Sequence, residues 1–301
     1  MSWTEVRVPA TSANLGPGFD ALGMALSIYL ECRFRPVEKL LIQPSGRDAH
    51  MISAGPENLI WQTALQVGEH TGRPMPMIEL QVNNDIPIGK GLGSSAAALV
   101  AGVVIADEVL GLGWDRHKIL DEAARIEGHP DNVAAAALGS IVASAIDTDG
   151  ITRAVRMQLP ARYGVAIIVP DFILPTSEAR AVLPQTYSRA DAVFNIQRSA
   201  LLIAAMLTQT TEAFHEALMD RLHQPYRARL VPGLSEMLEL RCDGLLGCAL
   251  SGAGPSVLVF YERGHEEVCD QMRAIFQKHG HGSEILWAHI PDHGYDLLQG
   301  L

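Results

Sequence analysis

One stretch constrains this chain more than any other: Pro87-Ile88-Gly89-Lys90-Gly91-Leu92-Gly93-Ser94-Ser95-Ala96-Ala97. Glycines at alternate positions precede two hydroxyls, and a small, apolar run then continues to Leu110. That run reads as a helix over Ser94–Leu110, buried on most of its surface, with Ser94 or Ser95 at the N-cap. Glycines ahead of a helix start let the backbone N–H groups curl toward one point, and the helix dipole adds about half a positive charge there. The product is an anion site, most naturally for nucleotide phosphates.

An ordinary tight turn before a helix has the same composition, so the loop alone does not assign a nucleotide. It is not a Walker A loop, because Lys90 is followed by glycine. Gly91-x-Gly93-x-x-Ala96 meets the looser dinucleotide pattern, but the strand-like Met77–Val82 stops well short of Gly89. The acids at about the right distance, Asp107, Glu108 and Asp115, fall in or between helical stretches rather than at a strand end. A dinucleotide enzyme is therefore disfavoured.

Composition narrows the partners. A chain of 301 residues, 48% of them hydrophobic, is long enough for two domains with a sizeable core. A net charge of −11 argues against nucleic acid or an anionic membrane as partner. Anionic substrates then need local cations, so single arginines matter. Cys32, Cys242, Cys248 and Cys269 lack metal-ligand spacing, and the histidines form no zinc pattern, which suits reduced thiols in the cytoplasm. The opening residues carry no apolar signal core, and no run reads as membrane-spanning.

The pattern predicts strands at Val6–Val8, Leu26–Phe34, Lys39–Gln43, Met77–Val82, Ser140–Ala145 and Ala154–Leu159. Helices are predicted at Glu57–Glu69, Ser94–Leu110, Asp115–Glu127 (Asp115 as N-cap) and from Asp131 to Leu138. A strand at Val165–Val169 opens a second half. That half has helices at Thr176–Leu183, Asp191–Leu207, Thr211–Arg221 and Glu266–Lys278, and strands at Cys248–Leu250, Ser256–Tyr261 and Glu284–His289. The order lacks a strict βαβ rhythm, so α+β is the class.

Two further motifs flank the loop in chain order. Near the start stands Pro9-Ala10-Thr11-Ser12-Ala13-Asn14-Leu15-Gly16-Pro17-Gly18-Phe19-Asp20, and near the end Leu250-Ser251-Gly252-Ala253-Gly254-Pro255-Ser256. The ordered triplet, spread over nearly the whole chain, resembles the GHMP kinases, and within them the homoserine kinases. The resemblance implies two α+β domains with the active site in the cleft between them. The first, 1–158, would be ribosomal-S5-like and carry the ATP phosphate loop, with every residue from Pro87 to Ala97, Lys90 included, against the nucleotide; the second, 159–301, would be ferredoxin-like. ATP, Mg²⁺ and L-homoserine would be the small-molecule partners, with no nucleic acid or membrane, in a homodimer.

Residue by residue, the resemblance implies Glu127 with Ser94 or Ser95 as magnesium ligands, in line with the oxygen ligands Mg²⁺ prefers. The spacing in Glu127-Gly128-His129-Pro130-Asp131-Asn132 is shorter than in many homoserine kinases, which keeps Glu122 open as a substitute. Asn14 and Asp20 would face the ammonium of an amino acid, although an aspartate after Gly-Pro-Gly-Phe also suits a turn cap. Arg180 and Arg227 would hold a carboxylate, a task that suits a planar fork; Arg229 is close enough in sequence to compete with Arg227. His129 would line the substrate pocket, and Thr176 would act in catalysis by approaching the transferring phosphoryl group. Asp131 stands where some relatives keep a base, whereas Asn132 would orient the acceptor hydroxyl if the phosphate itself takes the proton. Ser251, Gly252 and Gly254 mark the last glycine turn. The competing readings are a kinase for another hydroxy compound such as mevalonate, which has no ammonium for Asp20, and a non-catalytic sensor.

Overall fold

The computed structural model describes residues 3–299. In chain order the elements are β1 (Thr4–Ala13), β2 (Leu22–Pro36), β3 (Leu41–Gly46), α1 (Leu59–Thr71), β4 (Ile78–Asn84), α2 (Ser94–Leu110), α3 (Arg116–Glu127), α4 (Asp131–Leu138), β5 (Ile141–Ile146) and β6 (Thr152–Met157). The second half has β7 (Tyr163–Pro170), α5 (Thr176–Ala181), α6 (Arg189–Thr208), α7 (Phe214–Ala217), α8 (Gln224–Arg227), α9 (Leu234–Glu239), β8 (Leu245–Leu250), β9 (Val257–Glu262), α10 (Val268–Lys278), β10 (Ser283–Ala288) and β11 (Asp296–Gln299).

Two sheets organise the chain. The first runs β11-β1-β2-β4-β3, with β5 on β2 and β6 on β5; only β3 and β4 pair in parallel. Buried α2 packs against it, with Leu99, Val100, Val103, Val104 and Ile105 all inaccessible or nearly so. The second sheet is antiparallel in the order β10-β7-β9-β8, the split arrangement expected of a ferredoxin-like domain. The architecture is thus the α+β one read from the chain.

Several boundaries differ from the sequence reading, each for a local reason. The N-cap of α2 is Gly93 in the left-handed region, not Ser94 or Ser95, because the loop enters the helix with φ of 66°. Helix α1 starts two residues late, where the Asn58 side chain accepts from the Ile60 and Trp61 amides. Asp115 does cap α3, accepting from the Lys118 amide. The helix expected over Thr211–Arg221 breaks into a 3-10 turn and the single turn α7. Beyond it, the Asp220 carboxylate collects the Leu222, His223 and Gln224 amides and so replaces helical bonding. Residues Pro9–Ala13 of the first motif, expected outside a strand, form the end of β1.

The division at 158/159 does not hold for the C-terminus: β11 returns to pair with β1, Val6 opposite Leu297. An edge strand from the far end thereby covers the open side of β1. Helix α6 is long and apolar enough by composition to cross a membrane, contrary to the sequence reading. It is nevertheless tied to the protein by polar bonds. Asn195 Nδ2 donates to the Pro17 carbonyl and to Asp220, and Arg198 pairs with Glu216.

Candidate active site

One cavity of about 420 Å³ is lined from both halves of the chain. Its wall includes Asn14, Asp20, most of the 87–96 loop, Glu127, His129, Asp131, Asn132, Thr176, Arg180, Arg227 and Gly252. Residues from nine elements or loops thus converge because three glycine-rich turns meet at one point.

The loop is held from behind. The Gly89 carbonyl accepts from the Leu174 amide, Lys90 from Ser256, and Leu92 from Thr11. Ser251 Oγ lies 2.7 Å from the Gly91 carbonyl and 2.9 Å from Ser12 Oγ. A Cβ on Gly91 would fall 2.3 Å from the Ser251 carbonyl oxygen and 2.7 Å from that of Gly254. Four successive carbonyls are therefore turned into the protein, and the last glycine turn is the floor on which the loop rests. Ser251 and Gly254 do not reach the cavity wall.

Two members of the loop also fall outside it. Ala97 is a core residue. Lys90 directs its ammonium away, donating to the Pro170 and Phe172 carbonyls at 2.7 and 2.8 Å. Burial lowers its pKa, partly offset by Asp171 and Asp48. Lys90 is a clasp between the loop and the end of β7, which corrects its expected place on a phosphate.

On the other side, Asn14 is buried with φ of 70°. Its Oδ1 accepts from the Asp20 amide and its Nδ2 donates to the Gly252 carbonyl, so it braces the turn that presents Asp20. Arg180 Nη2 lies 3.0 Å from Asp20 Oδ1. Arg227 is buried, unlike a typical surface arginine; its Nε donates to the Ala179 carbonyl and its Nη1 to that of Gly252. Burial, with the charge of Arg180 second, lowers its pKa to about 10. Arg229 instead donates to the Val182 carbonyl in an exposed position and does not line the cavity.

At the start of α4, Asp131 Oδ1 accepts from the Asn132 amide at 2.8 Å and faces His129 Nδ1 at 2.7 Å. A carboxylate so placed also suits a helix N-terminus. Burial alone would depress His129, but its hydrogen bond to Asp131 and that residue's charge outweigh burial and raise it. Asn132 Oδ1 accepts from Thr11 Oγ1 at 2.8 Å. Glu127 is pushed up by burial, with His129 opposing and Asp131 reinforcing. Ligating atoms of Asp20, His129 and Asp131 lie within 4.8 Å of one another.

Glu122 is not a substitute for Glu127. It is buried against α1, taking hydrogen bonds from Arg125 Nη2 and facing His70 Nδ1. Burial raises its pKa, but these partners outweigh it and the net shift is downward. A depressed carboxylate contributes stability above its unfolded value that is lost as pH falls through the native one. Glu122→Gln should therefore cost about 1–2 kcal/mol at neutral pH, because the Arg125 and His70 side chains left behind are half-exposed and regain water. The gap to wild type should close on acidification in urea titrations across pH; a gap independent of pH would refute the ion pair.

Several wall residues carried no sequence signal. Leu30, Met51, Ile52, Asn58, Val82 and Asn84 also line the cavity and come from β2, β4, a 3-10 turn and the N-cap of α1. Of these only Asn58, ahead of an apolar periodic run, offers a signal, that of a helix cap, and the expected helix start at Glu57 passed over it. Thr11 was quoted with its motif, yet nothing in the spacing linked it to Asn132.

Comparison with known proteins agrees with this geometry. Residues 58–140 match the family model described as GHMP kinases N terminal domain, and residues 202–278 that of GHMP kinases C terminal. A curated homoserine kinase of Solibacter usitatus is 64% identical over 99% of this chain and 98% of its own length. One from Deinococcus radiodurans is 47% identical over 86% and 84%. The crystal structure of homoserine kinase from Cytophaga hutchinsonii superimposes with a TM-score of 0.85 at 27% identity, covering 99% of this chain and 98% of that one. With both family domains matched, a full-length relative at that identity and the same two-sheet architecture, this chain belongs to the GHMP kinases.

Proposed function

We propose that the chain transfers the γ-phosphoryl group of ATP to the hydroxyl of L-homoserine, giving O-phospho-L-homoserine and ADP for threonine synthesis. The observation that carries this reading is one cavity in which a glycine cradle at a helix N-terminus faces Asp20, Arg180 and Arg227. Homoserine has an ammonium, a carboxylate and a hydroxyl; those side chains are the complementary charges, and the names of the curated relatives point the same way.

The cradle suits phosphates. The loop's carbonyls are held by the protein, and the space beside Gly93 admits no side chain. Ser94, Ser95 and Glu127 offer the hard oxygens that a magnesium ion prefers, and the ion would neutralise charge on the phosphates there. Raised by burial, Glu127 loses a cost of desolvation when a cation stands beside it. The Asp20, His129 and Asp131 group is read as the ammonium's surroundings, since two of its three members are carboxylates that can accept from its N–H groups.

Catalysis here is positioning and charge stabilisation. Asp131 holds His129 and Asn132; Thr11 fixes the Asn132 amide, leaving Asn132 to orient the acceptor hydroxyl. As the hydroxyl oxygen bonds to γ-phosphorus, the bond to the ADP oxygen breaks and the hydroxyl proton passes to the transferred phosphate. Asp131 is then a holder rather than the base. With Nε on Ala179 and Nη1 on Gly252 and His223, Arg227 keeps only Nη2 for a carboxylate, so Arg180, whose Nη2 pairs with Asp20, turns its remaining donors to it. A cytoplasmic location is supported by four cysteines that are all free thiols.

Asp20 adopts φ of 53°, which asparagine tolerates, so Asp20→Asn should keep the turn while removing the charge. The homoserine KM should rise on the order of 10- to 100-fold, with the ATP KM within about twofold. Equal changes in both would contradict the ammonium assignment. The reading as a whole is tested by ADP release with Mg-ATP and a panel of L-homoserine, L-threonine, L-serine, mevalonate and galactose. Turnover with homoserine above all others is expected; preference for mevalonate would overturn the acceptor while keeping the fold and phosphate loop.

A further inference from the structure

We propose that His223 is a positioning residue for the acceptor, a neutral imidazole that locks the Arg227 guanidinium to the turn presenting Asp20. His223 is fully buried outside the cavity wall, at the N-cap of α8 just past the helix expected over Thr211–Arg221. Its Nε2 lies 2.7 Å from the Gly16 carbonyl, and its Nδ1 lies 3.2 Å from Arg227 Nη1. A carbonyl can only accept and a guanidinium can only donate. The two partners therefore dictate one form: hydrogen on Nε2, a lone pair on Nδ1, and no net charge.

The ring is fixed on every side. The Asp220 carboxylate takes the His223 amide, along with the Leu222 and Gln224 amides and Asn195 Nδ2. Phe19, the neighbour of Asp20, stacks on the imidazole with centroids 5.4 Å apart. The charged groups around it are Asp220, with Oδ2 3.6 Å from Nε2, then Arg227 and Asp20. Burial lowers its pKa, Asp220 opposes, and Arg227 reinforces the neutral form. One ring thus spans the first motif and α8, which also meet through the Gly252 carbonyl shared by Asn14 and Arg227 and through the Arg227 guanidinium, 5.6 Å from the Phe19 ring centroid. Without it, Arg227 loses one of the three partners that hold its guanidinium plane, and with it the aim of its free nitrogen.

The proposal rests on Arg227 holding the acceptor, so the test is a double-mutant cycle with Arg227→Met. His223→Leu should raise the homoserine KM roughly 10-fold or more, leaving the ATP KM within about twofold. In the Arg227→Met background the same change should add less than about twofold, because the residue it acts through is gone. A full additional loss in that background, or an unchanged homoserine KM in the single variant, would overturn the proposal. An unchanged homoserine KM in Arg227→Met alone would instead overturn the reading of Arg227. Where His223→Leu does not fold, His223→Asn and His223→Gln carry the test. An asparagine oxygen sits near the Nδ1 position and can still accept from Arg227, whereas a glutamine amide reaches only the Gly16 side. The asparagine variant should keep the lower homoserine KM; the reverse order would refute the role.

Discussion

Gly93→Val should lose measurable ATP affinity in calorimetry while the protein remains folded by circular dichroism. Gly93 has φ of 66°, in the left-handed region that β-branched residues rarely enter. A Cβ there would stand 1.8 Å from Thr11 Oγ1 and 3.2 Å from Asn132 Oδ1. Thr11 cannot yield: it is buried in β1, its amide is bonded to Leu92, and its hydroxyl is bonded to Asn132. The substitution therefore opens the cradle and dislodges Asn132 together. Strain and overpacking cost about 2–4 kcal/mol in sum, within the usual 5–15 kcal/mol margin of a domain. Gly93→Ala should fall between wild type and valine. ATP affinity within a few-fold of wild type in the valine variant would remove the phosphate-loop reading.

Arg227→Met should raise the homoserine KM on the order of 100-fold or more, with little change for ATP. The guanidinium is buried and holds three acceptors: the Ala179 and Gly252 carbonyls and His223 Nδ1. Methionine fills much of the volume but takes the Arg227 donor from the Ala179 carbonyl and from His223 Nδ1, while the Gly252 carbonyl keeps Asn14 Nδ2; each buried orphan costs about 1–3 kcal/mol. The melting temperature should fall by roughly 5–10 °C as well. Steady-state kinetics with each substrate varied in turn, alongside a thermal melt, separates the two effects. A large drop in melting temperature with the homoserine KM unmoved would make Arg227 purely structural.

What was legible in the sequence was whatever is encoded within a few residues. The Ser94–Leu110 helix emerged with its bounds intact because an unbroken apolar run and a following glycine define both ends. Asp115 was readable as a cap for the same reason. The three glycine motifs marked the cavity, since close backbone approach permits few other residues. Lys90 misled, because a lysine in a phosphate loop reads as an anion ligand whether or not its ammonium is already bonded. The broken helix after Thr211 misled too: Asp220 overrides local propensity with bonds that periodicity does not record.

The sequence alone therefore determined the α+β class, the glycine-rich turn ahead of a buried helix and the inventory of charged side chains, all of which follow from local pattern and residue chemistry. Only the tertiary structure decided which of those side chains work together. Thr11 lies 121 positions from Asn132, Gly16 is 207 from His223, and Arg180 is 160 from Asp20. Partners so far apart in the chain leave no periodic trace; burial and hydrogen-bond geometry bring them within reach, and β11 closes the first sheet for the same reason.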